Sequence, residues 1–127
     1  MKKKILLVDD EKSFTNLLKL NLEQTGHYDV RVVNVPEDAL PAAQEFKPDI
    51  MLLDIIMPRL PGGNVVAQFA ADPVARNTPI VFLTAAVRRS RVEEMDGLVS
   101  GIPCLSKPSN IEEIVAMIEK QTSSARQ

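Results

Sequence analysis

The chain has 127 residues, 45% hydrophobic and 25% charged, which suits one globular domain with one core. A formal net charge of -2 argues against nucleic acid as the main partner, and a single cysteine and a single histidine exclude an internal disulfide and a soft-ligand zinc site. The first apolar run stops at Asp9, too soon for a signal peptide or a membrane span, so the expectation is a cytoplasmic protein without membrane contact.

Residues 4–9 read as a strand closed by acid. Phe14, Leu17, Leu18 and Leu22 mark a helical stripe, and Gly26 fits its C-terminal cap. Tyr28 to Val33 reads as the second strand. Pro36 suits the first turn of a helix with Ala39, Leu40, Ala43 and Phe46 on one face; Pro41 is tolerable near that turn, and Pro48 stops the helix. Residues 49–54 form a third strand, apolar on both faces as a central parallel strand should be. The prolines and glycines of Met57 to Gly63 predict a loop.

Val66, Phe69 and Ala70 predict a third helix, ended by Asp72-Pro73. Pro79 opens a fourth strand, Ile80 to Thr84. Val92, Met95 and Val99 suggest a fourth helix ending near Gly97 or Gly101, and Arg88, Arg89 and Arg91 at its start read as a solvated basic face. Ile102 to Ser106 is a short fifth strand in which Pro103 points to a sheet edge. Ser109-Asn110-Ile111-Glu112 has a capping-box pattern, and Ile111, Ile114, Val115 and Ile118 form the stripe of a last helix. Thr122 to Gln127 reads as a frayed end, giving one domain over 1–122 and a flexible tail over 123–127. Strands alternating with helices make this a (βα)5 α/β chain with a parallel sheet and helices on both faces.

Asp9, Asp10, Asp54, Thr84 and Lys107 all fall at the C-terminal ends of predicted strands. In an open parallel sheet those ends converge on one crevice, where ligands bind. Hard carboxylate oxygens suit Mg²⁺, with one oxygen each from Asp10 and Asp54 and a coordinated water held by Asp9. Taken singly, Asp10 could do no more than cap the following helix; the set of five points to a divalent-cation and phosphoryl site.

The chain resembles the receiver domain of two-component response regulators. The residues that carry the resemblance are Ile5-Leu6-Leu7-Val8-Asp9-Asp10-Glu11, Leu53-Asp54-Ile55-Ile56-Met57-Pro58, Pro61-Gly62, Thr84-Ala85 and Ser106-Lys107-Pro108. It implies a flavodoxin-like five-stranded parallel sheet in order 2-1-3-4-5. It implies that Asp54 is the phosphoacceptor, that Lys107 and Thr84 contact the phosphoryl oxygens, and that backbone near Ala85 assists. It adds the backbone carbonyl of Ile56 to Asp9, Asp10 and Asp54 as Mg²⁺ ligands. The implied donor is a histidine kinase or histidine phosphotransfer protein. The implied output is a downstream protein target on the face made by helix 4, strand 5 and helix 5, with no direct nucleic-acid binding by this domain.

Three positions depart from the usual pattern. Ile56 stands where polar side chains are common, Ala86 lies two after Thr84, and Cys104 stands three before Lys107, where an aromatic is usual. As a small buried hydrophobe, Cys104 cannot rotate into space as a ring does. The expected function is a phosphorylation-controlled signalling module that acts on itself and does not turn over. The alternative is a degenerate receiver used only for docking. A phosphatase or phosphotransferase with Asp54 as nucleophile lacks a second acid at Ile56, and a dinucleotide binder lacks a Gly-rich loop after the first strand.

Overall fold

Side chains alternate sides along the first strand, β1 (Lys3–Val8): Leu6 and Val8 enter one apolar cluster, Ile5 and Leu7 another. This period of two, with both faces covered, sets the architecture. The structure is a computed structural model that describes residues 2–54, 62–84, 98–99, 102–106 and 110–125. After β1 come α1 (Lys12–Gln24), β2 (Tyr28–Val33), a 3₁₀ turn (Pro36–Asp38), α2 (Ala39–Phe46), β3 (Ile50–Asp54), α3 (Gly62–Ala71), β4 (Ile80–Thr84), β5 (Leu98–Val99), β6 (Ile102–Ser106) and α4 (Ile111–Ala125).

The sheet order is β2-β1-β3-β4-β6-β5. Five strands pair in parallel, as the alternating pattern predicts, and the two-residue β5 pairs antiparallel with β6. Leu6, Val8, Met51, Leu53 and Phe82 pack with Ala39, Ala43, Val65 and Phe69 of α2 and α3. On the other face Ile5, Leu7, Ile50, Leu52 and Leu83 pack with Leu18, Leu22, Ile114 and Ile118 of α1 and α4. Every residue of β3 is buried. Each large side chain so placed contributes about 1.5–3 kcal/mol of burial, and β3 between β1 and β4 concentrates that gain at the centre.

Helix ends follow local chemistry. Gly26 adopts φ +81 and its N–H returns to the Glu23 carbonyl, the left-handed cap expected after α1. Lys47 closes α2 the same way at φ 54, with Pro48 beyond it.

Several expectations need correcting. Leu17 is 60% exposed, and Thr15 takes the buried place beside Leu18 and Leu22. The buried stripe of α3 is Val65 and Phe69, with Val66 half-buried and Ala70 exposed. Gly62 and Gly63, predicted to lie in a loop, belong to α3 itself. Val99, expected on the stripe of a helix ending near Gly97 or Gly101, lies in β5; Pro103 is register partner to Leu98 in that antiparallel pair and precedes the parallel register with β4, which starts at Cys104. The cap of α4 is Asn110, whose Oδ1 accepts the Glu113 N–H at 2.8 Å. α4 continues to Ala125, and Thr122 is buried and donates to the Ile118 carbonyl at 2.8 Å, so it is packed helix and not a frayed end. Ile55 to Pro61, Ala85 to Gly97, Ser100, Gly101, Lys107 to Ser109, Arg126 and Gln127 lie outside the described residues. Ile56, Ala85, Ala86, the three arginines, Val92, Met95 and Lys107 are therefore expectations only.

Candidate functional site

Register brings the acids together. Val8 of β1 pairs with Leu53 of β3, so Asp9 and Asp54 are the next residues on adjacent parallel strands. A carboxylate oxygen from each of Asp9, Asp10 and Asp54 lies within 4.8 Å of the others. Asp9 and Asp54 are buried and Asp10 is exposed, so the cluster opens to solvent on the Asp10 side.

Backbone contacts fix the first of these residues. The Asp9 N–H donates to the Val33 carbonyl at 3.1 Å. The Asp9 Oδ1 accepts the Glu11 N–H at 2.9 Å, which turns the chain sharply between β1 and α1. The Asn34 side-chain amide donates to the Asp9 carbonyl at 2.7 Å and to the Thr15 hydroxyl at 3.0 Å. The Thr15 hydroxyl donates to the Lys12 carbonyl at 3.1 Å. Asn34 and Thr15 were not singled out from sequence. The available signal was a hydroxyl at a buried helical position, which must find polar partners.

The donor set fits a hard cation. All three groups are carboxylates, and an octahedral Mg²⁺ with oxygens at about 2.0–2.1 Å spans about 4.2 Å between opposite ligands. Two ionised carboxylates at this spacing repel by on the order of 3 kcal/mol at an effective dielectric of about 20. A divalent cation relieves that repulsion, and the exposed side leaves room for retained waters.

β4 ends beside β3 at the same end of the sheet. Asp54 pairs with Leu83, so Thr84 ends its strand one position beyond Asp54, and Thr84 pairs with Ser106 at the end of β6. Lys107 follows Ser106 directly in the chain. Cys104 is 2% exposed, paired with Phe82 across β4 and β6, and its burial pushes the thiol pKa up. It is core. Among the described residues no helix is long and apolar enough to cross a membrane.

Residues 5–119 match the family model of the response regulator receiver domain. The alkaline phosphatase synthesis transcriptional regulatory protein PhoP of Bacillus subtilis is 38% identical over 94% of this chain and 48% of its own length. The transcriptional regulatory protein TrcR of Mycobacterium tuberculosis is 36% identical over 91% of this chain and 43% of its own. The chain thus spans about half the length of these curated relatives. Among solved structures, the receiver domain of the Francisella response regulator 1452 superposes with a TM-score of 0.80 at 26% identity, covering 97% of this chain and 98% of that one. A response regulator described as putative, from Chloroflexus aurantiacus, gives 0.82 at 27% identity, covering 97% of this chain and 99% of that one.

Proposed function

The chain belongs to the response regulator receiver domain family, and from that premise we propose that it is a Mg²⁺-dependent phosphoacceptor whose phosphorylation on Asp54 changes a partner-binding face. The observation that carries this reading is the convergence of Asp9, Asp10 and Asp54 at the ends of adjacent strands. An intact acidic cluster gives no support to the docking-only alternative.

The donor is a phosphohistidine on a histidine kinase or phosphotransfer protein. An Asp54 carboxylate oxygen bonds to phosphorus as the bond to the donor imidazole breaks, and the electron pair of that bond stays on the imidazole nitrogen. Such a transition state spreads charge over three equatorial oxygens, so the site works by positioning and by opposing that charge. Asp9, Asp10 and Asp54 would hold the cation, with the Ile56 carbonyl as a further ligand implied by the family resemblance. Bound Mg²⁺ supplies positive charge beside the transferring oxygens. The Lys107 ammonium and the Thr84 hydroxyl donate to the remaining oxygens, with the backbone N–H of Ala85. The product is an acyl phosphate, formed once per cycle, so the domain is a switch and not a turnover enzyme. Its place is the cytoplasm, and its output passes to a protein target.

The test is to incubate the protein with a small acyl or amido phosphate and map the adduct by mass spectrometry. One phosphoryl group on Asp54, lost on chelation of Mg²⁺ or in Asp54→Asn, is the expected result. Labelling that survives Asp54→Asn, or that ignores chelator, overturns the proposal.

A further inference from the structure

Asn34 follows the last residue of β2 and reaches across to the acidic end of β1. Its amide nitrogen carries two donors, and both have acceptors: the Asp9 carbonyl at 2.7 Å and the Thr15 hydroxyl at 3.0 Å. The neighbouring Val33 carbonyl takes the Asp9 N–H at 3.1 Å. Consecutive residues at the end of β2 therefore hold both polar groups of the Asp9 backbone. A closed circuit results. Asp9 Oδ1 accepts from Glu11, the Glu11 carbonyl accepts the Thr15 N–H at 3.1 Å, and Thr15 accepts from Asn34, which returns to Asp9.

We propose that Asn34 is a positioning residue for the cation site, acting through the peptide that joins Asp9 to Asp10; this rests on the reading of that site as a Mg²⁺ site. Asp9 is buried and held by its own strand neighbours. Asp10 is exposed and lies beyond the end of β1, so its carboxylate is aimed by the orientation of the peptide before it. The carbonyl of that peptide is the group Asn34 holds. Without the amide, the Asp9–Asp10 peptide is freer to rotate, and Asp10 spends less time facing Asp9 and Asp54. Partners that orient metal ligands in this way typically account for about 10–100-fold in metal affinity. Thr15 serves by fixing the amide: its hydroxyl is a fixed acceptor because its own proton is committed to the Lys12 carbonyl.

The experiment titrates Mg²⁺ alone into the full chain by calorimetry, with thermal midpoints and amide spectra recorded for every variant. Asn34→Ala is expected to weaken Mg²⁺ by about tenfold. Asn34→Asp replaces the donor with an acceptor of the same size facing the Asp9 carbonyl, so it should not restore orientation. In an Asp10→Asn background, Asn34→Ala should add less than about twofold, since contacting residues couple and the ligand it aims is already impaired. Equal affinity in parent and Asn34→Ala overturns the positioning role while leaving the Mg²⁺ site standing. An equal loss in both backgrounds, or a loss that tracks the thermal midpoint alone, also overturns it. A parent that binds no Mg²⁺ overturns both this inference and the function beneath it.

Discussion

The Tyr28 hydroxyl donates to a Glu119 carboxylate oxygen at 2.6 Å, fastening the first residue of β2 to the last helix at the end of the sheet opposite the acidic cluster. Lys3 Nζ donates to the other Glu119 oxygen at 2.8 Å and to the Thr122 hydroxyl at 2.8 Å. One carboxylate thus joins β1, β2 and α4. The Lys3 ammonium, then the Tyr28 hydroxyl, hold Glu119 below the usual carboxylate range. Burial, then the bond to Glu119, pushes Tyr28 above the usual phenol range.

Tyr28→Phe is expected to cost about 1 kcal/mol at neutral pH, because a hydrogen bond to a charged but partly solvated acceptor is lost. The pH dependence follows from the two shifts. A lowered Glu119 pKa contributes stability above its ordinary value of 4.5 that disappears as pH falls through the lowered value. A raised Tyr28 pKa contributes stability below its ordinary value of 10.0 that disappears as pH rises through the raised value. The penalty should therefore be flat between these limits and shrink in acid. Urea midpoints of parent and variant across the acid range check this; a penalty that never shrinks as pH falls below the ordinary carboxylate value contradicts the assignment.

Asn110→Ala should destabilise the chain by about 1 kcal/mol, the usual cost of removing a helix N-cap. Asn110 Oδ1 accepts the Glu113 N–H at 2.8 Å, and deletion leaves that donor to water. Asn110→Asp keeps the acceptor and should lie within about 0.5 kcal/mol of the parent. Denaturant titration of the three proteins decides it; an Asp variant as weak as the Ala variant means that the cap bond is not the stabilising contact.

That cap also marks how far the sequence could be read. Ser109 with Glu112 and Asn110 with Glu113 have the same spacing, so the motif leaves the start of α4 uncertain by one residue, and only packing of Ile114 and Ile118 selects the frame. β3 and β4 were legible because burial makes them continuous apolar runs, and β2 because Tyr28, Val30 and Val32 alternate with Asp29 and Arg31; β2 and β4 have the predicted limits, and β3 starts one residue later than predicted. Helix faces were less so. Leu17 obeys composition but not the phase set by Leu18 and Leu22, and Thr15 occupies the buried phase because its hydroxyl has two partners. β5 was missed because two residues are too few to show a period. Asp9, Asp10 and Asp54 were legible because an acid that closes an apolar run is conspicuous. Asn34 was not, since a polar residue after a strand reads as a loop until its contact with Asp9 is seen.

Cys104 is packed in the apolar cluster with Phe82 and Met51, and its thiol is too small to fill a space left by Thr84 through a ring rotation. Thr84 ends β4 one register position beyond Asp54; under the proposed phosphorylation of Asp54 its hydroxyl would gain a charge-assisted hydrogen bond. The conformational response should therefore run through the segment from Thr84 to Arg91, carrying its three arginines, with little change at position 104. Backbone amide shifts with and without beryllofluoride provide the measurement. Cys104→Ser should leave Asp54 phosphorylation nearly intact and cost about 1–3 kcal/mol, because a hydroxyl replaces a thiol in an apolar site. Thr84→Ala should accept phosphate yet fail to alter partner binding. Large shifts centred on Cys104, with the 84–91 segment unmoved, would show that the buried thiol takes the aromatic's part after all.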